Sequence, residues 1–171
     1  MRKASQNHDK EWMVYLASTP VGPLRLCFSE GGLTALEFSG QEASPAPGHD
    51  APPPPLTPLI EAAKRELTAF FEGAPTDFAA LSLDPRGTSF QLRVWQELRR
   101  IPWGQTISYG ELARRVGSPK ASRAVGQANA VNPIPLIIPC HRVIAANGSL
   151  GGYSSGLDRK RWLLRHEGAK S

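Results

Sequence analysis

Leu24, Leu26 and Phe28 alternate with Arg25, Cys27 and Ser29, the period-two pattern of a strand with one buried face. Similar short runs predict strands over 11–18, 23–29 and 33–39, with Gly31-Gly32 turning the chain between the last two. Three such strands in succession predict an antiparallel meander. Residues 41–58 are rich in Pro, Ala and Ser and include consecutive prolines from Pro52 to Pro55. Proline lacks the amide that helices and central strands need, so this stretch reads as an extended connector. A helix follows over 57–72, with Pro58 suited to its first turn and Gly73 to its stop. Residues 78–83 read as one more strand. Asp84-Pro85-Arg86-Gly87 reads as a turn dividing a first domain, 1–85, from a second, 86–171.

The second half changes period. Phe90, Val94 and Leu98 recur every four residues and predict an amphipathic helix over 89–99, broken by Ile101-Pro102-Trp103-Gly104. A short helix over 108–116 ends at Gly117. Ser118 as N-cap and Pro119 as first-turn residue predict the next helix over 119–130, stopped by Asn132-Pro133-Ile134-Pro135. Residues 136–144 are too short and too proline-flanked for a helix, and Ile137-Ile138 favours a buried extended segment. A closing helix over 157–166 has Asp158 early, Arg165 and His166 late, and Gly168 beyond. The fold class is therefore α+β: a small antiparallel sheet with a helix, then a mostly helical half.

Two short helices joined by a glycine turn suggest a helix-turn-helix. In the second helix Ala121, Ala124, Val125 and Ala128 form the expected inward stripe, and Lys120, Ser122, Arg123 and Gly126 lie outward. The helix is rich in Ala and therefore slim, which suits a minor groove roughly 6 Å wide. A tightly packed helix pair that touches no DNA would look the same.

Charge sharpens this picture. Residues 1–85 hold 6 Lys/Arg and 11 Asp/Glu, whereas residues 86–171 hold 14 and 4. A basic half beside an acidic one points to a polyanionic partner for the C-terminal half, the plainer reading being a solvated basic surface. No apolar run approaches the ~20 residues of a membrane span, and the polar N-terminus lacks a signal-peptide core. An intracellular, cytoplasmic protein is expected. In that setting Cys27 and Cys140 are expected as separate thiols. The four scattered histidines show no zinc spacing, so no metal site is expected.

Ile138-Pro139-Cys140-His141-Arg142-Val143 sets a cysteine in an apolar run between a proline and a histidine. A buried cysteine is ordinarily inert packing. Here an imidazole and a guanidinium follow at once, and such neighbours lower a thiol pKa and raise its thiolate fraction. In a strand, however, adjacent side chains point to opposite faces, so a backbone bend or a water would have to connect Cys140 and His141. The residues alone leave both a reactive and a packing thiol open.

That segment resembles the active-site signature of the O6-alkylguanine-DNA alkyltransferases, also called methylated-DNA–protein-cysteine methyltransferases. The resemblance extends through several ordered motifs: Thr106-Ile107-Ser108-Tyr109-Gly110-Glu111-Leu112-Ala113, Ser122-Arg123-Ala124-Val125-Gly126, Asn132-Pro133, Gly152-Tyr153-Ser154, and Trp162 through Gly168. It is dense from about Phe90 to Gly168 and weaker over 11–83. It implies a ribonuclease H-like N-terminal domain and a winged-helix-like C-terminal domain. It implies transfer of an alkyl group from guanine O6 in double-stranded DNA to Cys140, once per molecule, by a monomer without metal or organic cofactor. O4-alkylthymine is a second candidate substrate.

The resemblance also implies roles. Cys140 is the nucleophile, His141 takes its proton through a bound water, and Glu167 orients His141. Tyr109 donates to guanine N3. Arg123 fills the space left by the extruded nucleotide, with Ala121, Ser122, Lys120 and Gly126 beside it against the DNA. The Cys140 and Val143 carbonyls read the guanine amino group, Tyr153 and Ser154 form the lid over the base, and Asn132 ties the recognition helix to the active-site segment. One departure stands out. The family commonly has two glycines after the residue following the lid tyrosine, and this chain has Ser155-Gly156. If that position needs positive φ, the lid is altered.

Three other functions fit parts of the pattern. A non-catalytic lesion sensor of the same fold would lack the acceptor cysteine. A helix-turn-helix regulator would bind a specific sequence and survive loss of Cys140. A cysteine hydrolase would turn over many times on a small ester or amide.

Overall fold

The computed structural model describes residues 11–39 and 52–169. The period-two alternation does build a sheet: β1 (Trp12–Leu16), β2 (Leu24–Ser29) and β3 (Gly32–Phe38) form an antiparallel meander in sequence order. Leu24, Leu26 and Phe28 are fully buried, as is Leu33 across the sheet. A bulge between Cys27 and Phe28 interrupts the alternation, so both of these neighbours are buried.

Helix α1 (Thr57–Phe71) follows and buries Ile60, Ala63, Leu67 and Phe70, one helical face. It is led in by a single 3₁₀ turn, Pro54–Leu56, inside the segment expected to be extended. Proline's fixed φ near −65° suits a helical first turn as well as an extended chain. Residues 41–51 of that connector lie outside the described residues.

The strand expected over 78–83 does not form. Phe78 takes φ 53°, its amide donates to the Thr76 hydroxyl, and the Leu81 amide donates back to the Phe78 carbonyl. The turn drops the Phe78 ring into the core, 5.8 Å from the Phe70 ring, and burial of that ring outweighs local strand preference. Leu83 alone of this segment bridges to β3, parallel to Leu33.

In the second half α2 (Ser89–Leu98) starts at a reciprocal capping box between Thr88 and Gln91. Strand β4 (Ile107–Ser108) runs straight into α3 (Tyr109–Arg115), with the Ser108 hydroxyl capping Glu111 N–H. Helix α4 (Ser122–Ala130) begins three residues later than expected. Ser118 does not cap it. Instead Ser118 to Ala121 is a turn, closed by Ala121 N–H to the Ser118 carbonyl at 2.8 Å, with Pro119 at its second position, where proline is favoured. The buried face of α4 is Val125, Ala128 and Asn129, and Ala124 is exposed rather than inward. Trp95 of α2 secures this face by donating its indole N–H to the Ala128 carbonyl at 2.9 Å.

Residues 136–144 are buried nearly throughout, as expected, but are not extended throughout. Leu136 sits at φ 74°, and Cys140–Arg142 form a 3₁₀ turn before strand β5 (Val143–Ile144). Strand β5 pairs in parallel with β4, Ile107 opposite Val143 and Ser108 opposite Ile144. Helix α5 (Leu157–His166) closes the fold with the expected bounds. The two halves share one continuous core. Leu36 N–H donates to the Pro133 carbonyl, and His166 Nε2 donates to the Phe70 carbonyl while its ring stacks on Trp162 at 4.6 Å.

Gly104, in the break after α2, is a position where the backbone leaves no choice. It has φ 72°, and a Cβ there would lie 2.8 Å from the Glu167 carbonyl. Gly117 has a similar φ of 76° with open space around it. Gly117→Ala is expected to cost about 1 kcal/mol, the left-handed strain alone. Gly104→Ala is expected to cost about 3 kcal/mol or more, because backbone must also shift. Denaturant midpoints at constant m-value measure both, and equal losses would show that the Gly104 contact relaxes freely.

Candidate active site

The β4–β5 pairing carries a local instruction into three dimensions. The residue after β4 is Tyr109 and the turn before β5 is Cys140–Arg142, so two parallel hydrogen-bonded residues bring phenol and thiol segments side by side. The turn also removes the strand geometry that would set Cys140 and His141 on opposite faces. In a 3₁₀ turn successive side chains are about 120° apart rather than opposed, so both point inward, and Cys140, His141 and Arg142 are all buried.

Behind the thiol is a buried ionic cluster. His141 Nε2 lies 2.7 Å from Glu167 Oε1. Arg142 reaches the same carboxylate with both arms of its fork, Nε to Oε2 and Nη2 to Oε1, each at 2.9 Å. Its remaining Nη1 donates to the Ile101 carbonyl, and Gly104 N–H makes a longer contact of 3.4 Å to Glu167 Oε2. Burial by itself would push Glu167 up. Hydrogen bonds and charge from His141 and Arg142 outweigh that and hold it at about 2, fully ionised. Burial lowers the His141 pKa below 6.5, only partly offset by Glu167, and Arg142 and Lys160 lower it further. His141 is therefore neutral at rest. Its Nε2 carries the proton donated to Glu167, which leaves Nδ1 as the basic nitrogen. Nδ1 is buried with no protein partner among the described residues.

Cys140 itself is only 2% exposed. Burial raises its pKa above 9.0, against lowering by an Asn132 hydrogen bond, the Lys160 charge and Tyr153. The neighbouring imidazole and guanidinium do not make a standing thiolate: desolvation wins, and the resting group is a thiol. Cys27 is a second free thiol, buried on β2 and likewise raised.

The groups around Cys140 are fixed one by one. Asn132 donates to the Ile138 carbonyl at 2.8 Å and accepts from Ile134 N–H. Asn129, on α4, donates to the Cys140 carbonyl at 3.3 Å. Lys160 is fully buried, donates to the Val143 carbonyl at 2.6 Å and the Gly152 carbonyl at 3.1 Å, and is lowered to about 8 by desolvation despite Cys140. The Cys140 and Val143 carbonyls therefore each already hold one protein donor. Burial raises Tyr109, which keeps its phenol a donor, and a charge forming on Cys140 would raise it further. Its ring lies between α4 and the loop before α5: a Cβ on Gly126 would sit 3.9 Å from it and one on Gly151 3.1 Å. The Tyr153 hydroxyl is sealed from solvent. Among the described residues it has no oxygen or nitrogen partner, and burial first and then Cys140 raise its pKa.

Of the residues expected at the site, Cys140, His141, Glu167, Tyr109, Tyr153, Asn132 and Val143 are brought together. Ser154 is exposed on the lid. Ser155 does not take positive φ; Gly156, at 99°, does so instead, so the missing glycine leaves the turn intact. Lys120 and Arg123 are exposed at the start of α4, without an ion pair among the described residues, and Ala121, Ser122 and Gly126 are half-buried there. Arg142, Lys160 and Asn129 were not read from sequence as site residues. A Lys or Arg in an amphipathic helix or beside a catalytic signature reads as solvated or as a general cation, and nothing local marks it for burial. Among the described residues no group of His, Cys, Asp and Glu is arranged to hold a metal ion.

The family model for the 6-O-methylguanine DNA methyltransferase ribonuclease-like domain matches residues 13–85, and that for the DNA binding domain of the same proteins matches 89–169. The chain is 46% identical over 152 residues to the methylated-DNA–protein-cysteine methyltransferase of Methanosarcina acetivorans, covering 88% of this chain and 95% of the relative. It is 46% identical over 153 residues to that of Mycobacterium bovis, covering 90% of each. Among solved structures, the Mycobacterium tuberculosis O6-methylguanine methyltransferase superposes with TM-score 0.77 at 44% identity over 95% of each chain. The same organism's protein in complex with DNA superposes with TM-score 0.76 at 45% identity, over 90% of this chain and 91% of that one. The chain belongs to the 6-O-methylguanine DNA methyltransferase family, the methylated-DNA–protein-cysteine methyltransferases.

Proposed function

We propose that Cys140 accepts the alkyl group of O6-alkylguanine in duplex DNA after the damaged base has been turned out of the stack, and that each molecule acts once in the cytoplasm. The observation that carries this reading is a dry thiol beside a neutral imidazole in the same buried turn, whose Nδ1 has no other partner among the described residues. The O6 alkyl carbon is shielded within stacked DNA, so extrusion precedes attack, at a cost of a few kcal/mol. The basic surface of α4 holds the duplex with Lys120 and Arg123, and Arg123 fills the vacated space.

Chemistry then follows from the resting charges. His141 Nδ1 takes the Cys140 proton, by way of a bridging water, and the imidazolium formed is stabilised by the ionised Glu167. Sulfur forms its bond to the alkyl carbon as the carbon–O6 bond breaks, and the electron pair passes into the guanine ring. Tyr109, kept protonated by its surroundings, donates at N3 so that guanine leaves uncharged. Tyr153 and Ser154 cover the base. The product is a thioether with no easy return, which makes the protein its own spent reagent. A lesion sensor or a regulator would leave the cluster behind Cys140 without a purpose, whereas a hydrolase would use it but would turn over many times.

Intact-protein mass spectrometry after incubation with O6-methylguanine DNA is expected to find one methyl group, about +14 Da, on Cys140 and none on the sealed, unassisted Cys27. Label on Cys27 or continued turnover would exclude the mechanism. Arg123→Ala is expected to slow reaction with duplex DNA by about tenfold or more while leaving reaction with free O6-benzylguanine, which needs no extrusion, nearly unchanged. Equal losses on both would remove Arg123 from the extrusion step.

The proton relay is best probed at His141, because Glu167→Gln would also strand the buried Arg142 at a cost of about 3–5 kcal/mol. His141→Gln can still donate to Glu167. The wild-type rate should be flat above pH 6.5, where His141 is neutral, and fall as acid protonates it. The variant should track the thiolate fraction of a group titrating above 9.0. It should therefore be slower by about 10²-fold at pH 7, with the deficit shrinking as pH rises. A constant ratio across pH would show that His141 is not the base.

A further inference from the structure

Arg159, in the first turn of α5, is half-buried and works in two directions. Toward the N-terminal half its Nε donates to the Val21 carbonyl at 3.1 Å, and its guanidinium lies 5.0 Å from the centre of the Phe38 ring at the end of β3. Toward the lid its Nη1 donates to the Ser155 carbonyl at 2.9 Å. With Phe38, Pro135, Ser154 and Ser155 it lines a cleft of about 550 Å³ beside the lid. A guanidinium is a planar fork of donors, so one group can hold two carbonyls at fixed separation while lying on an aromatic face. A lysine ammonium is a point donor and cannot meet all three.

The lid depends on few bonds. Lys160 holds the Gly152 carbonyl upstream, and the turn closes through Gly156 N–H to the Tyr153 carbonyl at 3.0 Å. Ser154 is exposed, and Gly156 occupies φ 99°. The Ser155 carbonyl is the downstream anchor. What it keeps in place is Tyr153, two residues earlier, whose hydroxyl is sealed against the Cys140 environment.

We propose that Arg159 is a positioning residue for alkyl transfer: it clamps the 153–156 lid to the N-terminal half, so that a part of the chain contributing no reacting group sets the closed geometry over Cys140. This rests on the alkyl-transfer reading above. The surface formed by Val21 and Phe38 thereby acts on the reaction rate without touching DNA or thiol, and the lid keeps its shape although Ser155 stands where relatives commonly have glycine.

Full-length wild type, Arg159→Ala and Arg159→Lys provide the test, in single-turnover reactions with free O6-benzylguanine and with O6-methylguanine duplex. The amplitude counts competent molecules, and the rate constant reports how each is arranged. R159A is expected to keep its amplitude and its affinity for undamaged duplex but to react about tenfold more slowly with both substrates. R159K, able to reach one carbonyl, is expected to stay slow. A fall in amplitude with an unchanged rate constant would mark Arg159 as merely structural and overturn the proposal. Full rescue by R159K would assign the effect to charge alone and overturn it equally. Hydrogen–deuterium exchange at the lid, which needs no substrate, should quicken in R159A; unchanged exchange would refute the clamp even if the wild-type protein transferred nothing. Wild type that leaves Cys140 unalkylated would instead refute the alkyl-transfer reading itself.

Discussion

Glu167 is a carboxylate with almost no water around it, placed at the C-terminal cap of α5 where the helix dipole also disfavours negative charge. It stays ionised because Arg142 meets it with a two-armed fork and His141 donates to it. The cluster ties the last helix, the active-site turn and the loop through Ile101 and Gly104 into one unit. Buried ion pairs of this kind contribute little net stability, yet removing one member strands the others. Their use here is orientation. By accepting from Nε2, Glu167 fixes which nitrogen of His141 is basic and aims it away from the carboxylate.

A thiol held above its ordinary pKa suits the single-use reagent proposed above. A standing thiolate would be open to oxidation and to stray electrophiles. In this site burial keeps Cys140 protonated, while Lys160, Asn132 and Tyr153 are already placed to favour the anion once it forms. On the proposed mechanism, reactivity is thereby generated when the base is bound rather than stored. The same desolvation that protects the thiol leaves His141 neutral and Tyr109 protonated, so one physical cause suits all three to the proposed roles of acceptor, base and donor.

Much of this was legible along the chain. The meander at 12–38 and helix α5 follow directly from period and punctuation, because each buries a single face whose spacing the residues display. Cys140, His141, Tyr109 and Asn132 were legible through a run of ordered motifs. Where the chain was misread, a long-range contact had overruled a local signal. Phe78 gave up a strand to bury its ring on Phe70. Ser118 looked like a cap, but the crossing of α3 and α4 needed a turn there. The β4–β5 pair is too short to leave any period in sequence.

By itself, then, the order of residues determined the meander, the longer helices and which side chains are chemically able to react. Tertiary structure decided the protonation states. The thiol is neutral, the lysine of α5 is buried rather than solvated, and Arg142 belongs to a carboxylate 25 residues away rather than to the thiol. The reason is that a pKa depends on desolvation and on charges within a few ångströms, and both are properties of the folded neighbourhood. No stretch of sequence contains that neighbourhood until helix α5 has packed behind Cys140.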